Sequence, residues 1–92
     1  PGLIVSVSSG NGGSYPISEL RSSSYKNTHL MWIPENIIIR NVEEFNPGSH
    51  GKNIPNWLDD RIIYVLNLLL AYASNMKPLR TIVNRKDFGN GM

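Results

Sequence analysis

The residue types best suited to chemistry crowd into "NPGSHGKN", residues 46–53, where a hydroxyl (Ser49), an imidazole (His50) and an amine (Lys52) sit among glycines. A Gly-rich loop holds phosphate through its backbone N–H groups and a lysine when it reads Gly-x-x-x-x-Gly-Lys-Ser/Thr and opens a helix. Here Asn46 replaces the first glycine, Asn53 replaces the hydroxyl, and Pro55 intervenes, so that loop is not specified. A looser expectation is that Ser49, His50 and Lys52 lie beyond the end of a strand, where open α/β sheets place ligands. His29 and His50 are an acid/base pair by type alone. Two histidines without cysteine or an H-E-x-x-H spacing make no metal cage, and none is expected. Gly10 and Gly12 match the start of Gly-x-Gly-x-x-Gly, but Tyr15 takes the third glycine. Tyr25, Trp32 and the basic residues Lys77, Arg80, Arg85 and Lys86 could stack on and neutralise a single strand of nucleic acid. Nine Lys and Arg against seven Asp and Glu give a surplus of only two, so a solvated surface is the simpler reading and nucleic acid is not expected.

The elements that would position these groups are set by glycine and proline. Residues 3–7, "LIVSV", read as a short buried strand that ends in the loop "SSGNGGS". "YPISELRSS" reads as a single helical turn with Pro16 near its start. Residues 30–33 are ambiguous, residues 36–42 read as a second buried strand, and residues 79–83 read as a third. Trp32 and Trp57 read as packing residues. The chain makes one domain at most, of marginal stability for its 92 residues. Its expected layout is a strand/loop/strand part (1–42), a loop (43–56) and a strand/helix/strand part (57–92).

The most apolar stretch, "NWLDDRIIYVLNLLLAYASN" at 56–75, admits two readings. Wound as one helix, Asp60, Asn67 and Ser74 form a polar stripe and apolar residues fill most of the remaining circumference, which demands a partner. Split at Asn67, residues 61–65 become a strand buried on both faces and Asn67 becomes the N-cap of the following helix. Pattern alone leaves the two equal. The apolar run 62–73 falls short of the ~20 residues a bilayer needs, and no signal peptide is evident, so no membrane is expected. Lack of cysteine fits a reducing, cytoplasmic compartment. The chain starts at Pro1 without an initiator methionine, as a processed chain or a fragment would.

The order "LIVSVSS", "PISEL", "SSYKNTHL", "IIIRNVEEFNPGSHGKNIP", "RIIYVLNLLLAYA", "VNRKDFGNG" resembles the later part of the extended short-chain dehydrogenases, the NAD-dependent epimerases and dehydratases of nucleotide-linked sugars. The resemblance implies a Rossmann-like sheet, with Ser9 (or Ser8) orienting a sugar oxygen, Tyr25 as acid/base, and His29 at the position of the family's pKa-lowering lysine. It further implies Arg40 and Arg61 near the nucleotide phosphates. The chain departs from the family at functional positions: Glu43 stands for an asparagine, Asn46 for a glycine, and the Arg-Asp pair is inverted as Asp60-Arg61. The cofactor half would precede Pro1, so NAD would need that missing part, and this chain alone is not expected to bind it.

The expectations are therefore an α/β chain, a small and partly parallel sheet with a crossover helix. The leading function is a truncated or degenerate nucleotide-sugar epimerase/dehydratase, with a nucleotide-sugar as partner. The alternative is a non-catalytic module that self-associates through the apolar surface of 58–76, as a homo-oligomer or against the remainder of a larger chain.

Overall fold

A computed structural model describes residues 1–24, 28–45 and 54–83. Two strands, β1 (Gly2–Val7) and β2 (Trp32–Ile39), pair in parallel and are joined by helix α1 (Ser14–Ser23). A 3-10 turn (Val42–Phe45) follows β2, then helix α2 (Asn56–Met76) and a short helix α3 (Leu79–Ile82). The coarse expectation of a small α/β unit with a parallel sheet and a crossover helix is met.

Adjacent residues of a strand point to opposite faces, and this sorts the helices. Ile37 packs with Leu58 and Val65 of α2, whereas the neighbouring Ile38 lies beside Gly13 at the start of α1. The two helices therefore cover opposite faces of the sheet. The core sits under α2, where Ile33 and Val65 are fully buried and Leu3, Ile39, Ile62 and Leu69 pack around them.

Strand 3–7 forms as expected. The second strand starts earlier, at Trp32, and stops at Ile39, because Asn41 takes a positive φ of 51° and turns the chain into the 3-10 turn. Asparagine tolerates that left-handed conformation better than most residues. The expected single turn at 15–23 is a helix of 10 residues, with Pro16 in its first turn, where its missing N–H would be unpaired anyway.

Two expected strands are helices instead. Residues 61–65 belong to α2, which runs unbroken through Asn67, and residues 79–82 form α3. A strand at 61–65 buried on both faces would leave β2 without the apolar face that Leu58, Ile62 and Val65 present to it when wound as one helix. Asn67 is exposed in mid-helix, where it costs well under about 1 kcal/mol relative to alanine, less than starting a new helix there. The N-cap position belongs to Pro55 and Asp59 lies in the first turn, where the helix dipole favours a carboxylate.

Candidate functional site

In parallel α/β sheets ligands sit outside the carboxyl ends of the strands, and that end is built from two loops here. Ser8 N–H donates to Ile39 O (2.9 Å) and Val42 N–H to Ser8 O (3.1 Å), which ties the end of β1 to the turn after β2. Ser8 Oγ donates to Gly10 O (2.8 Å), and Arg40 Nε donates to both Asn11 O and Gly12 O (3.1 Å each). The loop closes on Gly13, whose φ of 86° suits glycine; a Cβ there would lie 2.7 Å from Ile38 Cγ2. Beneath it Ser6 Oγ is buried with no hydrogen-bond partner.

Ser9 is exposed in this loop. His29 lies before the amino end of β2, at the other end of the sheet, as the bond from Gly2 N–H to Met31 O shows. Six residues of β1 at roughly 3.3 Å each put about 20 Å between Ser9 and His29, too far to share a reacting atom. The arrangement that the resemblance implies for Ser9 and His29 is thus not assembled. Tyr25, Ser49, His50 and Lys52 lie outside the described residues.

Arg40 and Arg61 do come together. They line one groove with Asn36, Ile38, Trp57 and Leu58. Residues of both sheet faces meet there, so the groove wraps around the outer edge of β2. Both guanidinium groups already have partners: Arg40 holds the glycine loop, and Arg61 pairs with Glu35, donates to Asn36 O (3.1 Å) and lies 5.9 Å from the Tyr64 ring centroid. Trp57, expected to pack, is 63% exposed at the rim. Trp32 is half-buried, its ring Nε1 donating to Ser24 Oγ (3.1 Å). The described residues contain no cluster of three or more metal-ligating side chains.

Among the described residues, apolar side chains are also left open. Val5 and Val7 of β1 and Ile63, Leu66 and Leu70 of α2 are each 45–64% exposed. At 100° per residue the three α2 side chains lie roughly 140–180° around the helix from Arg61. Measured from the buried Leu58 and Val65, Leu66 is lateral on the helix and Ile63 and Leu70 lie on its outer side, away from the sheet. Both the strand and the helix thus keep apolar side chains open to solvent. Comparison with protein-family models, curated proteins and solved structures returns no match.

Proposed function

We infer that the chain is an interaction module, an α/β half-sheet completed by association. The carrying observation is the apolar side chains left about half exposed on both regular elements, Val5 and Val7 on β1 and Ile63, Leu66 and Leu70 on α2. Apolar surface left open on a helix and a strand of one small domain is the kind that interaction sites use. The extent of helix through Asn56–Ile82, with mean hydropathy 1.2, is long and apolar enough to cross a membrane by length and composition. Its polar stripe of Asp60, Asn67 and Ser74 and its packing on β2 through Leu58 and Val65 favour a protein partner over lipid.

Offered no other partner, the chain pairs with itself. Sedimentation of the 92-residue chain at rising concentration should show dimers or larger species; a folded monomer at several hundred micromolar, judged by circular dichroism, would rule the reading out.

The nucleotide-sugar reading, with NAD on a preceding segment, has one observation in its favour: Arg40 and Arg61 share a groove with an exposed indole. Titrating a nucleoside diphosphate sugar into the Trp32→Phe variant leaves Trp57 as the sole indole reporter. Unchanged Trp57 emission at millimolar ligand removes this reading.

A further inference from the structure

We propose that the loop after β1 and the first turn of α1 bind one phosphate group, as inorganic phosphate or at the end of a small phosphate monoester, with the Ser6 hydroxyl as its buried donor. The site is independent of the module reading, because α1 covers the sheet face opposite the one that α2 covers.

Backbone donors converge at the start of α1. Gly13, at φ 86° and ψ −27°, precedes the helical Ser14. That left-handed to right-handed alternation turns successive N–H groups toward one point, an anion-binding nest. The groups are those of Gly13, Ser14 and Tyr15, and no acceptor among the described residues takes them. Pro16 has no N–H, so the nest ends with three donors, which matches the three free oxygens of a phosphate monoester. The first turn of α1 holds no carboxylate and no side chain caps it, so the positive end of the helix dipole is uncompensated.

A buried donor stands against the same residue. Ser6 is 4% exposed and its Oγ has no partner, a state that costs free energy. The point where a Cβ of Gly13 would stand lies 3.7 Å from Ser6 Oγ and 3.4 Å from Ser8 Oγ, so both hydroxyls face the first residue of the nest. Ser8 already donates to Gly10 O (2.8 Å), which leaves Ser6 as the free donor. An oxyanion in the nest supplies its acceptor once the loop shifts to admit it. Gly10 has open space around it and Gly12 meets only Ser8 Cβ at 4.0 Å, so the loop has room for that shift.

Arg40 holds the loop from behind. Its Nε donates to Asn11 O and Gly12 O, and in a trans peptide the N–H lies opposite the C=O. The amides of Gly12 and Gly13 therefore point away from the guanidinium and stay open. Glu43 and Glu44, in the turn after β2, are carboxylates at the same end of the sheet, so directed N–H groups and not net charge must hold the ligand.

The test is an NMR titration of the whole isotope-labelled chain at constant ionic strength, with inorganic phosphate and separately with phenyl phosphate. The amides of Gly13, Ser14 and Tyr15 should shift saturably, and those of Asn56 and Trp57 at the start of α2 should not. Tighter binding of phenyl phosphate assigns the site to a monoester, and the reverse order assigns it to free phosphate. Ser6→Ala, which should fold as well as the parent, is expected to weaken phosphate binding about tenfold, since hydrogen bonds to charged groups are the stronger kind. An unchanged affinity in Ser6→Ala overturns the proposal. So does the absence of a saturable shift at residues 13–15 with either probe, or an equal shift at Asn56 and Trp57, which would mark attraction to any helix start. Sedimentation of the same samples separates the two readings: oligomers without these shifts would refute only the phosphate site, and a folded monomer showing them would refute only the module.

Discussion

At the scale of single residues, the loop after β1 is held by geometry that a sequence cannot display. Gly13 combines a positive φ with a void too small for a Cβ, so Gly13→Ala is expected to cost about 1–3 kcal/mol in chemical denaturation. Gly10, with open space around it, is the control, and Gly10→Ala should stay within about 0.5 kcal/mol. Equal effects at both positions would contradict the tight closure at Gly13. Ser6 gives a prediction of opposite sign. Its hydroxyl is buried without a partner, a state that costs stability, so Ser6→Ala should leave the chain as stable or raise its stability by about 1 kcal/mol. A loss above that size would mean that the hydroxyl is satisfied.

At the scale of elements, Asn67 separates the two readings of residues 56–75 by sign. In the unbroken α2 it is an exposed interior residue, so Asn67→Ala should stabilise by about 0.5 kcal/mol. As an N-cap it would instead lose about 1 kcal/mol on the same change. Denaturant midpoints with an unchanged slope give the answer. The same residue shows how much of the fold was legible. "LIVSV" and "NIII" announce strands because β-branched runs between turn residues have few other uses, and the parallel pairing follows from a helix between them. "RIIYV" carries the same signal and becomes helix, since local preference yields to the tertiary setting, in which Leu58, Ile62 and Val65 share one helical face on β2. Of the site, the sequence held the residue types but not their placement. Ser9 and His29 fall at opposite ends of β1, whereas Arg40 and Arg61, 21 positions apart in the chain, line one groove.

At the scale of the whole molecule, α2 has more apolar circumference than one small sheet covers. Leu58, Ile62, Val65, Leu69 and Tyr72 face or border the core, and Ile63, Leu66 and Leu70 are the exposed surplus. The surplus does not stabilise the monomer, so charge placed there should spare the fold and abolish association. Leu66→Glu with Leu70→Glu is expected to keep the helical circular dichroism and shift the denaturation midpoint little, surface changes being worth within about 0.5 kcal/mol. In sedimentation the variant should remain monomeric at concentrations where the parent chain associates. Placing the same charge at Ala71 and Asn75, which line a separate hollow with Leu68 and Tyr72, should leave association intact. If both pairs of changes dissolve the oligomer equally, the Leu66 and Leu70 stripe has no special part in assembly, and general charge on the helix is what keeps the copies apart.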